Sequence, residues 1–410
     1  MEKQKRWIWQ QEGYPDFTYD REKLEPLLQQ IKYRQGILDG IYQAINDEER
    51  SNAQMEVLTS EALETSAIEG EMLDRNSVRS SIAKRLGIDT GSKDSSTSHT
   101  DGVVDILLDA TQNHVSPLNE ERLFGWHNAL FPKGYSGLYK INVATYRDDE
   151  EMQIVSGPIG REKVHYVAPP KAVLEKEMAR FMKWFNNDTD LSVIKAGIAH
   201  LWFVIIHPMD DGNGRIARAL SDLLLAREAR QIRKLYSISH AIHADRKGYY
   251  AILEKTTTGG TDITPWLAWF LNILLQSLQN AREGIRHILD KAAFWDRHRN
   301  TVLNERQIKV LNRLLDTGAG QFQGGINTRK YASLTKTSKP TASREIKDLV
   351  EKGCLVQIEG TAGRNVSYKV NIGEKPSRIP EAVQKTKETD QSEYRSMEGT
   401  LGDGLSESEE

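Results

Sequence analysis

Twelve consecutive residues concentrate chemistry in this 410-residue chain: His207-Pro208-Met209-Asp210-Asp211-Gly212-Asn213-Gly214-Arg215-Ile216-Ala217-Arg218. An apolar run from Leu191 to Ile206 ends at the histidine, a proline stops it, and a Gly-Asn-Gly turn opens the next helix. The two glycines let backbone approach a ligand closely and adopt positive φ. Free N–H groups at a new helix N-terminus suit a phosphate or another anion. Arg215 and Arg218, three apart, can reach the same anion with charge-assisted bonds. Asp210 and Asp211 offer hard oxygens of the kind Mg²⁺ takes, one or two carboxylates with substrate phosphates completing the shell. His207 has the pKa range of a general base near neutral pH. Each feature alone has an ordinary structural explanation, a histidine capping a helix or a turn that is only a turn. Their conjunction assembles a base, a metal ligand and an anion cradle.

The segment resembles the signature of the Fic family, His-Pro-Phe-x-Asp/Glu-Gly-Asn-Gly-Arg-x-x-Arg. It departs at one defined position, where Met209 replaces Phe at an apolar, inward-packing site that a flexible thioether can fill. Fic proteins move the AMP moiety of ATP to a hydroxyl side chain of a target protein and release pyrophosphate. The resemblance therefore implies ATP as co-substrate, Mg²⁺ as cofactor and a protein partner bearing a Ser, Thr or Tyr hydroxyl. Carried over by position, His207 would deprotonate that hydroxyl and Asp211 would hold Mg²⁺ on the α- and β-phosphates. Gly212, Asn213, Gly214 and Arg215 would cradle those phosphates, and Arg218 would hold the γ-phosphate. Asp210 falls at the variable position and receives no metal role. Some relatives with Lys where this chain has Gly214 transfer phosphate instead, so Gly214 favours nucleotide transfer.

The resemblance covers most of residues 1–290. Met152-Gln153-Ile154-Val155-Ser156 begin a segment, running to Pro170, that looks like the family's flap, a hairpin that docks the target by strand addition. A purely structural hairpin is the alternative. Tyr249 and Tyr250 fall where the family often places aromatics near the nucleotide base, although tyrosines at this spacing are as often core. Thr65-Ser66-Ala67-Ile68-Glu69-Gly70 resembles the inhibitory motif Ser/Thr-x-x-x-Glu-Gly/Asn. Thr65 and Glu69, four apart, share one helix face, and Gly70 lets the chain leave at once. In the family this glutamate occupies the second signature arginine, here Arg218, and the same glutamate could orient water for removing AMP.

Helical periodicity must position these residues. Leu24, Leu27, Leu28, Ile31, Leu38, Ile41 and Ile45 mark one helix and Asp47 to Glu69 a second. The aromatics Trp7, Trp9, Tyr14, Phe17 and Tyr19 could form a ligand surface, but are expected to form an N-terminal arm packing onto the body. Gly91 to Gly102 is turn-rich and expected to be a loop. From Val103 to about Ile285 the pattern is mostly helical, interrupted by two short strands, Glu151 to Ser156 and Lys163 to Ala168. The expected fold is mainly α, a Fic-type helical core with a β-hairpin flap plus a small α+β winged-helix domain.

Residues 300–370 hold 12 Lys and Arg against 6 Asp and Glu, whereas the last forty hold 5 against 10. Asn304 to Leu314, Arg329 to Leu334 and Lys339 to Lys352 read as helices, followed by a two-stranded wing from Cys354 to Val370. This looks like a winged helix-turn-helix, with Arg344, Lys347 and, at the wing tip, Arg364 as candidate DNA contacts. Protein docking is the alternative for such a module. The expected divisions are residues 1–95 (arm and inhibitory helix), 96–290 (catalytic core), 300–372 (winged helix) and 373–410 (acidic, disordered tail). The net charge of −3 excludes a wholly basic nucleic-acid-coating protein, and a single cysteine excludes an intramolecular disulfide framework. No apolar leader or spanning stretch is visible, so a soluble, cytoplasmic protein is expected.

Three functions compete at this level. The first is an autoinhibited protein adenylyltransferase. The second is a nucleotide-sensing DNA-binding regulator with little turnover. The third is a de-AMPylase or another phosphate-group transferase on the same core. A homodimer is left open.

Overall fold

The computed structural model describes residues 6–88, 93–148, 151–156, 161, 163–187, 189, 191–230, 233–316, 325–361 and 366–373. The flap turn at 157–160, Arg364 and everything after residue 373 lie outside the described residues. The fold is mainly α. Helices in chain order are α1 (Arg21–Ala44), α2 (Asp47–Ile68), α3 (Arg75–Leu86), α4 (Ser98–Gln112), α5 (Glu120–Leu130), α6 (Lys171–Phe185), α7 (Val193–Ile206) and α8 (Asn213–Ala229). They continue with α9 (Ile238–Ala244), α10 (Arg246–Thr257), α11 (Thr264–Arg297), α12 (Glu305–Asp316), α13 (Thr328–Thr335) and α14 (Lys339–Glu351). Among the described residues, three antiparallel two-stranded sheets accompany them: β1 (Tyr135–Ser136) with β2 (Tyr139–Lys140), β3 (Gln153–Ser156) with β4 (Lys163–Val167), and β5 (Leu355–Gln357) with β6 (Tyr368–Val370). None of the described helices is long and apolar enough to cross a membrane.

The described residues form two compact units, one from those within 6–38 and 51–282, the other from those within 39–50 and 283–373. The stretches expected as 1–95 and 96–290 thus lie largely in one unit. In it α7 is the centre, with every residue buried except Ile198. Its hydrophobicity all round is that of a core helix rather than a surface one. Gly197 lets α11 come close, since a Cβ there would stand 2.9 Å from the Phe270 ring, and Trp266 Nε1 donates to the Gly197 carbonyl at 2.8 Å. Likewise a Cβ on Gly102 of α4 would stand 1.8 Å from the Ala129 carbonyl oxygen of α5.

The N-terminal aromatics pack inward. Trp7 meets Tyr166 edge-on at 5.6 Å, Trp9 Nε1 donates to the Val167 carbonyl at 2.7 Å, and Phe17 meets Trp202 at 5.9 Å. The segment read as a loop from Gly91 is shorter than expected. Thr97 caps α4 by accepting from the Thr100 N–H at 3.2 Å, so helix begins at Ser98 inside the polar run. Residue types that favour turns also favour caps, and here the cap prevails.

The second unit carries its own core, in which Phe294, Val310, Leu311, Tyr331, Ile346 and Leu349 are buried. Glu345 ties its helices together, accepting from the Tyr331 hydroxyl at 2.8 Å and pairing with Arg306.

Candidate active site

α7 ends at His207 in the left-handed region, φ +50°, where its N–H still donates to the Phe203 carbonyl at 2.9 Å. A non-glycine residue there costs roughly 1–2 kcal/mol, so something must hold it. Arg147 does. This side chain, 1% exposed, donates from Nε to the His207 carbonyl at 2.8 Å. Its backbone N–H donates to the Pro208 carbonyl at 2.9 Å, and Nη2 to the Pro169 carbonyl. One buried arginine therefore fixes both the histidine turn and the exit from β4.

The imidazole is half-buried. Burial pushes it below the ordinary histidine range, to about 4, and the Arg147 charge adds to that, against the opposing pull of the Val204 carbonyl and of Asp211 and Glu69. It is neutral at physiological pH. With Nδ1 3.4 Å from the Val204 carbonyl oxygen, Nε2 is the nitrogen left to accept a proton.

The loop after it is held by its own side chains. Asn213, 3% exposed, donates from Nδ2 to the Met209 carbonyl at 2.8 Å and accepts from the Met209 N–H at 3.0 Å. Its amide is thus spent on the loop, and what it can offer an anion is its backbone N–H at the start of α8. Met209 is fully buried. Gly212 has φ +82°, and a Cβ there would meet Phe131 at 3.0 Å. Asp211 accepts from the Ser136 hydroxyl in the β1–β2 hairpin. Asp210 accepts from the Asn142 N–H at 2.7 Å.

The arginines of α8 are nearly enclosed, Arg215 at 6% and Arg218 at 2% exposure. Arg218 donates from Nε to Thr65 Oγ1 at 2.8 Å, from Nη2 to the Thr65 carbonyl at 2.9 Å and to Glu69 Oε1 at 2.8 Å. A Cβ on Gly214 would lie 2.3 Å from that same Glu69 oxygen. The glutamate therefore lies against the N-terminal turn of α8 as well as its arginine, a favourable place for a carboxylate at the positive end of a helix. Arg218 Nη1 and Arg215 Nε are buried donors without hydrogen-bond partners among the described residues. Arg215 also donates to Glu71 at 2.6 Å and lies over the Phe131 ring at 4.9 Å.

Of the two tyrosines, Tyr249 is 2% exposed, stacked on Trp269 at 5.5 Å, with its hydroxyl 2.9 Å from His200 Nε2. Tyr250, 43% exposed, presents the open ring, and its hydroxyl donates to the Ile68 carbonyl at 3.2 Å. In the hairpin expected as a flap, Gln153 and Val155 are exposed, and Met152 and Ile154 half-buried. Strand β4 is pinned to α10, Lys163 at 2.8 Å and His165 at 2.9 Å from Glu254. Ser156 ends β3. In the second unit Arg344 and Lys347 are exposed on α14.

Sequence reasoning missed Arg147, Ser136 and Glu71. Arg147 and Ser136 act through backbone carbonyls and a two-residue strand, which leave no periodic pattern. Glu71 could have been suspected from the glycine stop before it.

Residues 117–225 match the Fic/DOC family, and residues 7–88 match a domain of unknown function, DUF4172. The chain therefore carries a Fic/DOC-family domain. It is 39% identical over 61 residues to protein adenylyltransferase fic-1 of Caenorhabditis briggsae, covering 14% of this chain and 12% of that protein. It is 31% identical over 131 residues to protein adenylyltransferase Fic of Drosophila ananassae, covering 30% of this chain and 25% of that one. The chain thus spans a quarter or less of the length of either relative. Among solved structures, a Fic family protein from Desulfovibrio desulfuricans G20 superposes with a TM-score of 0.47 at 18% identity, over 86% of this chain and 97% of that one.

Proposed function

We propose that this protein transfers AMP from ATP to a hydroxyl of a target protein and that Glu69 holds it inactive. The observation that carries the reading is a neutral histidine beside a helix N-terminus backed by two buried arginines. In the reaction the acceptor oxygen attacks the α-phosphorus while the bond from that phosphorus to the bridging oxygen breaks. Pyrophosphate leaves with the electron pair, and the hydroxyl proton passes to His207 Nε2. The backbone of Gly212 to Gly214 and Arg215 cradle the α- and β-phosphates, and Arg218 takes the γ-phosphate.

Among the described residues no group of three or more His, Cys, Asp or Glu could hold a metal by itself. Mg²⁺ does not need one, because one carboxylate plus phosphates and water is a common donor set. Asp211, half-buried and steadied by Ser136, fits that set. Bound there, the ion would offset phosphate charge. Target docking falls to the β3–β4 flap, whose exposed strand β3 can accept an added strand.

Incubation with Mg²⁺ and ATP labelled at either the α- or the γ-phosphate tests this reading. Label should reach protein from the α-position only, on a target or on the chain itself. Transfer from the γ-position would instead indicate a phosphate transferase, and no transfer by any form of the protein would favour the nucleotide-sensing regulator.

The second unit supports a separate proposal, that α12 to α14 with β5 and β6 form a winged helix that binds DNA. Lys339, Ser343, Arg344 and Lys347 are exposed on α14, which would enter the major groove. Replacing Arg344, Lys347 and Arg364 together by Ala should weaken duplex binding and flatten its salt dependence, while deleting residues 374–410 should not weaken it. Salt-insensitive or absent duplex binding by the full chain would make the module a protein-docking element.

A further inference from the structure

Glu69 and Glu71 flank Gly70 in a turn with little freedom. The Gly70 N–H donates to the Ala67 carbonyl at 3.0 Å and the Glu71 N–H to the Ser66 carbonyl at 3.0 Å, with Gly70 at φ +86°. This is the Schellman pattern of a helix end. It fixes the spacing of two carboxylates that face two arginines one turn apart on α8.

Glu69 takes Arg218, and Glu71 takes Arg215, with Nη1 donating to Glu71 Oε2 at 2.6 Å. The other Glu71 oxygen lies 3.3 Å from His99 Nε2, close but without hydrogen-bond geometry. His99 first, and then the Arg215 charge, hold the Glu71 carboxyl below its usual range despite partial burial, so it is ionised at neutral pH. Arg215, fixed over Phe131, still has its buried Nε unpartnered among the described residues. A guanidinium in that state is short of acceptors, and an oxygen-rich anion would supply them.

We infer that Glu71 is a second gate on nucleotide binding, one that acts through Arg215 and so sets how the site treats a nucleoside diphosphate. The inference rests on the reading of Arg215 and Arg218 given above. Arg218 serves the γ-phosphate, which ADP lacks. Arg215 serves the phosphates that ADP and ATP share. Glu69 therefore acts on the γ-phosphate through Arg218 while also crowding the first turn of α8, whereas Glu71 acts only through Arg215 on the shared phosphates, and removing one carboxylate leaves the other in place.

Calorimetric titration of the full-length chain with Mg²⁺-ADP and Mg²⁺-ATP tests this. Glu71→Gln keeps the side chain's length and removes its charge. If the closed pair is the dominant state, freeing Arg215 should tighten ADP binding about tenfold, and ATP binding by a similar factor. Glu69→Gly should shift ATP more than ADP. Glu71→Ala should repeat the Glu71→Gln result, with thermal unfolding confirming that both variants are folded.

Unchanged ADP affinity in folded Glu71→Gln would overturn the gate. Weaker ADP binding would overturn it too, because Glu71 would then be orienting Arg215 for the nucleotide. If Glu69→Gly neither transfers AMP nor binds ATP more tightly, the underlying reading of the site fails and the gate falls with it. If Glu69→Gly does both while Glu71→Gln leaves ADP binding unmoved, the gate alone is lost.

Discussion

Replacing His207 with Ala should lower AMP transfer by roughly 10²- to 10⁴-fold, the usual scale for losing a general base. The measurement is best made in a Glu69→Gly background, where the rate is high enough to follow a large loss. ATP affinity should change little, because the arginines and the N-terminal turn of α8 do not involve the imidazole. Folding should also survive. Among the described residues the side chain makes one long hydrogen bond, to the Val204 carbonyl at 3.4 Å, whereas the anchors of the turn are backbone groups. Arg147 binds the carbonyls of residues 207 and 208, and Asn213 staples Met209. Quench-flow transfer rates and ATP titration separate the two effects. An unchanged rate would remove His207 from the chemistry, and a matching loss of ATP affinity would make it a structural residue of the loop.

The signature segment was legible because its chemistry is contiguous. A histidine, two glycines and two arginines within twelve residues can be placed on one turn and one helix by local rules alone. The helices were legible for the same reason. Expected and observed ends of α1, α2, α7 and α14 differ by at most a few residues, and a capping side chain decides one of the differences. Ser192 accepts from the Lys195 N–H and starts α7 two residues after Leu191.

Other features were hidden because they are tertiary. Arg147 earns its place only once β4 and α7 converge on it. The β1–β2 hairpin is four residues of strand, too short for an alternating pattern to show. The sequence left open whether the side chain or the backbone of Asn213 faces the ligand, for a related reason, since a motif letter does not say which. The helix α3 and the pairing of Glu71 with Arg215 lay beyond the motif pattern that located Glu69.

Substituting Glu69 with Gly should raise AMP transfer, and the protein's own labelling, by about tenfold or more. That magnitude is the coupling of 1–3 kcal/mol expected when one partner of a competing pair is removed. Three observations set the sign. Arg218 is 2% exposed and bonded to the Glu69 carboxylate at 2.8 Å, so it cannot serve a phosphate while the pair is closed. The same carboxylate oxygen lies within 2.3 Å of where a Gly214 Cβ would be, so it also crowds the first turn of α8. Thr65 would keep the freed guanidinium aimed, since it accepts from Nε and Nη2 at 2.8 and 2.9 Å independently of Glu69. The gain therefore requires no rebuilding of the site. It should come with lower stability of the nucleotide-free protein, because a buried arginine loses its charged partner, at a cost of about 1–3 kcal/mol. Added ATP should restore more stability to this variant than to the wild type, as linkage demands of a ligand bound more tightly. Arg218→Ala should not reproduce the gain, because the γ-phosphate then has no ligand. The double variant should behave like Arg218→Ala, the non-additivity expected of groups acting on one another. Equal transfer by wild type and Glu69→Gly, at saturating and at subsaturating ATP, would mean that the Glu69–Arg218 pair is structural and that inhibition does not reside there.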